Sequence, residues 1–233
     1  MTTIASNLQA VRAAIEDSAQ RSDRRSDEVT LLAVSKTFAP DRLCEAYQAG
    51  QHCFAENYVQ EALDKMAALK ALPIAWHFIG PIQSNKTRAI ATNFAWVHSV
   101  DRLKIAERLS EQRPSQLPPL QICLQVNISN EVSKGGVEPD AVVALAQQIA
   151  KLPNLKLRGL MAIPAPSVDV NEQRASFAQL RHLRDQLNLQ GLQLDTLSMG
   201  MSHDFPAAIA EGATIVRIGT AIFGSRIDLQ EQA

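Results

Sequence analysis

Apolar positions along the chain follow two alternating rhythms. Short runs at "EVTLLAVS", "HCFA", "IAWHFI", "FAWVHS", "LQICLQVN", "LKLRGLMAI", "LDTLSM" and "ATIVRIG" have the length and β-branched content of strands. Segments of helical period separate them. "AVVALAQQIAKL" puts Val142, Leu145, Ile149 and Leu152 on one face, and "RASFAQLRHLRDQL" does the same with Phe177, Leu180, Leu183 and Leu187. A helix is expected from Pro40 to Tyr47, stopped by Gly50. The opening "MTTIASNLQAVRAAIED" reads as an extra amphipathic N-terminal helix, and the charged "RSDRRSDE" after it as a solvated helix end.

Strands joined by helices make parallel sheets, and unbroken apolar runs suit strands covered on both faces. About eight βα units in 233 residues predict a single (β/α)8 TIM-type barrel spanning residues 1–233. The alternative, a doubly wound sheet, would carry a glycine-rich first turn, and "AVSKTFAP" has no glycine. The Pro-rich "QRPSQLPP" is expected to be a loop within the barrel, because the βα rhythm resumes unchanged after it.

Composition narrows the function classes. A net charge of -1 leaves no footprint for nucleic acid or an anionic membrane, and 46% hydrophobic with 20% charged residues is ordinary for a soluble globular protein. No apolar run approaches a membrane span, and the N-terminus lacks a signal-peptide apolar region. Cys44, Cys53 and Cys123 have neither CxxC spacing nor a neighbouring His cluster, so buried free thiols in a reducing cytoplasm are expected, with no metal site.

A barrel places its chemistry at the carboxyl ends of the strands. There the sequence sets Lys36, Glu56, Asn57, His77, Asn127, Met161, "SMGMS" (198 to 202) and Arg217. Lys36 ends an apolar strand, which suits a nucleophilic amine aimed into a site. "SMGMSHD" and "RIGTAIFG" follow the last two strands, each just before a helix, the first near Asp204. Loops in that position often hold phosphate, and small residues such as Gly200, Ser202, Gly219 and Thr220 let backbone approach it. An amine beside a phosphate site fits a Schiff-base aldolase or a pyridoxal 5′-phosphate (PLP) protein. Arg217 bears on that choice, since a guanidinium facing a pyridine nitrogen would keep the nitrogen unprotonated and weaken the ring as an electron sink.

The stretches "AVSKTFAPDRLCEAYQAG", "ENYVQEALDK", "WHFIGPIQSNK", "VNISNEVSKGG", "GLMAIP" and "LSMGMSHDFPAAIAEGATIVRIGTAIFG" together resemble the pyridoxal-phosphate homeostasis protein family, over nearly the whole chain. That family is similar in fold to the N-terminal barrel of alanine racemase. The resemblance implies PLP held covalently on Lys36 as an aldimine and Arg217 facing the pyridine nitrogen. It also implies a phosphate held by Ser202, Gly219 and Thr220, with Asn57, His77 and Met201 lining the cofactor pocket. Ala55 stands where glycine is usual and Ile82 where leucine is common; neither removes a chemical group.

A racemase of this type needs a second base, supplied in alanine racemase by a tyrosine of an additional domain of the partner subunit. Here the tyrosines are Tyr47 and Tyr58, the chain runs only some ten residues past "IFGS", and His203 at a helix start reads as capping or exposed. The expectation is a monomeric, cytoplasmic PLP-binding protein without catalytic turnover that buffers or delivers vitamin B6 cofactor. It would exchange PLP and amino acids, and transiently meet apo PLP-dependent enzymes. A PLP-dependent amino-acid racemase is the alternative, and an aldolase a distant third.

Overall fold

The computed structural model describes residues 3–129 and 135–224, and part of the "VNISNEVSKGG" motif lies outside them. In chain order the elements are α1 (Ile4–Gln20), β1 (Thr30–Val34), α2 (Pro40–Gln48), β2 (Cys53–Glu56), α3 (Val59–Ala68), β3 (Ala75–Phe78), α4 (Thr87–Asn93), β4 (Trp96–Val100) and α5 (Leu103–Gln112). They continue with β5 (Leu120–Gln125), α6 (Val142–Ile149), β6 (Leu155–Met161), α7 (Val170–Leu189), β7 (Thr196–Ser198), α8 (Phe205–Ala210), β8 (Ile215–Ile218) and α9 (Thr220–Phe223). The strands close in sequence order, and β8 pairs in parallel with β1 through Leu32 opposite Arg217. The (β/α)8 expectation therefore holds, with the Pro-rich stretch as the α5–β5 connection.

Two layers of packing follow from the strand alternation. Outward-facing residues such as Ala33, Phe54, Val97 and Leu160 meet the apolar stripes of the helices in one continuous core. The inward-facing set is different, because only Leu32, Ala55 and Ile215 form its buried apolar cluster. Val34, Cys53, Ile79 and Trp96 pack against that cluster, and the buried polar groups His77, His98, Ser198 and Arg217 share the interior with them, where a filled barrel would usually carry layers of branched aliphatics.

Helix α1 packs against α8, α9 and α2, so it covers the ring beside the four-residue α9. Thr3 caps it by accepting from Ser6 N–H. The charged stretch beyond α1 is mostly exposed, as expected, with Ser22 and Arg24 half-buried. A short 3-10 turn forms at Ser26–Glu28, and the Arg24 guanidinium reaches the carbonyls of Ile209 and Ala213 at 2.9 and 2.8 Å. The cysteines are free, but Cys44 and Cys53 are only half-buried, whereas burial pushes the Cys123 thiol up to about 12. Among the described residues no cluster of His, Cys, Asp or Glu could hold a metal ion, and no helix is long and apolar enough to cross a membrane.

Candidate functional site

A cavity of about 420 Å³ opens at the carboxyl end of the barrel. Lys36, Asn57, Met201, Ser202, Arg217, Gly219 and Thr220 all line it. Lys36 lies two residues beyond β1, in a turn, half-buried. Asn57 follows β2, and Gly80 sets its position. A Cβ on Gly80 would lie 2.2 Å from the Asn57 carbonyl oxygen, so only glycine lets the β3 loop run so close beneath it. Asn57 Oδ1 is buried without a hydrogen-bond partner among the described residues, leaving an acceptor beside the cavity.

Gly200 adopts a φ of 93° between β7 and α8, and a Cβ there would meet that of Ala208 at 2.7 Å. The turn swings Met201 and Ser202 to the rim, where Asp204 Oδ1 accepts from Met201 N–H at 2.6 Å. Gly219 and Thr220 complete the wall at the start of α9.

Arg217 rises from β8 into the cavity floor and is 3% exposed. Its guanidinium donates to Ser198 Oγ and to the Ala162 carbonyl, each at 2.8 Å. Burial pushes its pKa down to about 10, against the pull of Asp204, so it stays charged at neutral pH. Both of those partners are neutral, which leaves the positive charge to act on whatever occupies the cavity.

His77 does not line the cavity. It sits deeper, opposite Ala55 in the sheet register, stacked on Trp96 at 5.5 Å and 4° between planes. His77 Nδ1 is 2.9 Å from His98 Nε2, and His98 Nδ1 is 2.8 Å from Ser198 Oγ. A buried polar chain thus runs His77–His98–Ser198–Arg217 up the barrel axis. Because arginine can only donate, Ser198 accepts from it and can pass its own proton to His98 Nδ1, which leaves His98 Nε2–H to donate to His77. Burial pushes the His77 pKa down to about 3. His98 is held well below 6.5, first by burial and then by the charges of His77 and Arg217. Both rings are neutral.

Three other residues expected at the strand ends also lie outside the cavity lining. Glu56 is fully buried beside Lys65, Met161 is fully buried, and Asn127 Nδ2 donates to Glu138. The sequence reading passed over the aromatic and apolar wall, Phe38, Ile79 and Ile163, and the buried His98. "WVHS" places His98 two positions after Trp96 in a strand, a spacing that puts both rings on the same face as each other. His203, expected to be capping or exposed, is exposed and lines the cavity rim.

This amine, guanidinium and small-residue wall on a closed parallel barrel define a class, and comparison bears it out. The family model for the alanine racemase N-terminal domain matches residues 6–227. The pyridoxal phosphate homeostasis protein of Pseudomonas aeruginosa is 61% identical over 226 residues, covering 97% of each chain. Its Escherichia coli K12 counterpart is 50% identical over 229 residues, covering 97% of this chain and 98% of the other. The structure of PipY from Synechococcus elongatus with PLP bound superposes with a TM-score of 0.84 at 39% identity, over 95% of this chain and all of that one. Alanine racemase of Corynebacterium glutamicum shares the fold alone, at 15% identity and a TM-score of 0.71, over 96% of this chain and 61% of that one. The chain belongs to the alanine racemase N-terminal domain family and, within it, to the pyridoxal phosphate homeostasis proteins.

Proposed function

We propose that this protein binds PLP in the mouth cavity and stores or delivers it in the cytoplasm, serving vitamin B6 homeostasis and through it amino-acid metabolism. The observation that carries the reading is one cavity that gathers an amine, a buried guanidinium and two loops of small polar residues. The names of its relatives and the PLP-bound neighbour support the same ligand.

The residues fit that group. Lys36 would supply the amine to hold the cofactor's aldehyde carbon. Ser202, Gly219 and Thr220 hold the phosphate, a charge that binds several donors at once. Asn57 Oδ1 has acceptor capacity left for a polar substituent. Bound PLP provides an electron sink for bond breaking at an amino acid's α-carbon. Arg217 works against that use, because protonating a ring nitrogen beside a guanidinium costs several kcal/mol at an effective dielectric of about 20. A storage role needs no strong sink, and an open mouth lets PLP and amino acids leave and enter.

The test begins with colour. Purified protein reconstituted with PLP should absorb in the visible, and borohydride should fix one label on Lys36. Lys36→Ala should lose the band and keep the fold, since the residue sits at the mouth and outside the packed layers. A label on another lysine with Lys36 spared removes the site. Racemisation is the competing reading. Interconversion of D and L amino acids, followed by NMR in deuterated water, should stay below about 1 s⁻¹, the low end of ordinary enzymes. Faster turnover makes the protein a racemase.

A further inference from the structure

The turn that carries Lys36 is gripped from behind by a buried charge cluster that the cavity never touches. Lys65, on α3, is 3% exposed, and Glu56, the last residue of β2, is fully buried. Lys65 Nζ donates to Glu56 Oε1 at 2.8 Å, to Glu61 Oε1 at 2.6 Å and to the Ser35 carbonyl at 2.7 Å. Ser35 Oγ donates to the same Glu56 oxygen at 2.6 Å. On the other side of Lys36, the Thr37 N–H donates to Glu61 Oε1 at 2.5 Å. The cluster therefore holds the backbone on both sides of Lys36.

That backbone needs holding. Thr37 has a φ of 71°, the left-handed region, where a β-branched residue is a genuine outlier. Such strain persists only when its surroundings over-determine it. A buried ion cluster is also a poor means of gaining stability, since desolvation offsets most of the attraction and apolar packing would serve as well. Here a residue strained in the unfavourable region and an ionic cluster buried at a cost meet at one turn, and that turn bears the amine.

We propose that Glu61 and Lys65, supported by Glu56, are positioning residues that hold Ser35 to Thr37 in a strained turn and so aim the Lys36 amine into the cavity. The proposal rests on Lys36 being the attachment point for PLP. Without the clamp, Thr37 relaxes to negative φ and turns the lysine away from the cavity.

The clamp acts on the amine alone, and this makes it separable from fold and from phosphate binding. Glu61 is the residue to change, because its side chain is 29% exposed and its loss leaves Lys65 still paired with Glu56. Glu61→Ala should weaken PLP binding at least tenfold by titration of the visible band. Affinity for pyridoxamine 5′-phosphate, which has no aldehyde to couple, should stay within twofold. Adding Thr37→Gly to Glu61→Ala should restore most of the lost PLP affinity, because glycine adopts this φ without penalty. The same addition should not raise the melting temperature, since glycine gains freedom in the unfolded chain. Lys65→Met, checked for folding by circular dichroism, should repeat the loss.

Unchanged PLP affinity in Glu61→Ala, equal loss of both ligands, or failure of Thr37→Gly to rescue each overturns the clamp. A wild-type protein without a visible band, or a band that survives in Lys36→Ala, overturns the attachment reading and the clamp with it. A band lost in Lys36→Ala but intact in Glu61→Ala overturns the clamp alone.

Discussion

The two ends of the barrel use arginine in opposite ways. At the amino end a second cavity of about 580 Å³ is lined by Arg24, Trp96, Arg158 and Asp195 among others. Its charges are matched within the protein. Arg158 meets both Asp195 oxygens, at 2.9 and 2.6 Å, donates to Gln121 and lies over Trp96 at 4.9 Å. Arg24 pairs with Glu28 and two carbonyls. At the carboxyl end, Arg217 is more deeply buried yet its hydrogen-bond partners are neutral. A partly exposed charge matched inside the protein, like Arg158 with Asp195, serves the fold, and a buried charge matched only by neutral groups is available to a ligand. Size does not separate the two cavities, since the larger one is at the stabilising end.

Acid should produce the largest effect, on the polar chain that lies between the two ends. His77 and His98 stay neutral when folded but take up protons when unfolded below their usual 6.5. The unfolded state then binds more protons, so stability is full above 6.5 and falls as pH drops toward about 3. Two histidines over two pH units amount to at most about 5 kcal/mol. Glu56 acts in the other direction. Burial raises its pKa against Lys65, so its contribution is present below 4.5 and is lost as pH rises. Urea unfolding between pH 7 and 5 should show the loss, and His98→Gln should reduce the slope by about one proton. An unchanged slope would mean that the rings are charged in the fold.

The next effect belongs to the mouth. Pyridoxal lacks the phosphate and should bind at least about 100-fold more weakly than PLP, given roughly 1.5–3 kcal/mol for each hydrogen bond to a charged group. Ser202→Ala removes one such bond and should cost PLP about tenfold while leaving the melting temperature in place. Equal affinity for the two vitamers would remove the phosphate from the comparison.

The smallest effect is expected at the amino end. Asp195→Asn should lower stability by about 1 kcal/mol, discounted because that carboxylate is partly exposed, and leave PLP affinity within twofold. Burial raises the Asp195 pKa, but hydrogen bonds from Arg158 and Thr196 and the Arg158 charge outweigh it, so the net shift is downward. Its contribution is thus present above the usual 3.8 and fades as acid protonates it, so wild type and variant should converge at low pH. A change in ligand affinity would show that the two ends are coupled through the polar chain.

The βα rhythm was legible because each strand is a compact apolar run and each helix carries one clean stripe. The mouth residues were legible because a polar group just past such a run has only the cavity or solvent to face. Depth was not legible. His77 and Arg217 both occupy inward positions near strand ends, but strand stagger sets one beneath the other, and stagger is a property of the closed sheet. Lys65 was hidden for a different reason. With Glu61 four residues before it on a helix, it reads as a common surface pair, and only the fold shows α3 lying against the end of β2.

The closure of the barrel also sets when the site can exist. Lys36 follows the first strand, whereas Arg217, Gly219 and Thr220 belong to the last strand and the turn after it. Strand β8 is seated against β1, and Asn7 of α1 bonds the Ile222 carbonyl 215 positions away. During synthesis the amine leaves the ribosome long before the groups that complete its pocket. Contacts this distant in sequence form slowly and late. A nascent chain therefore presents Lys36 before Arg217, Gly219 and Thr220 have been made, and the cavity they share is completed in one step, when the two ends of the chain meet.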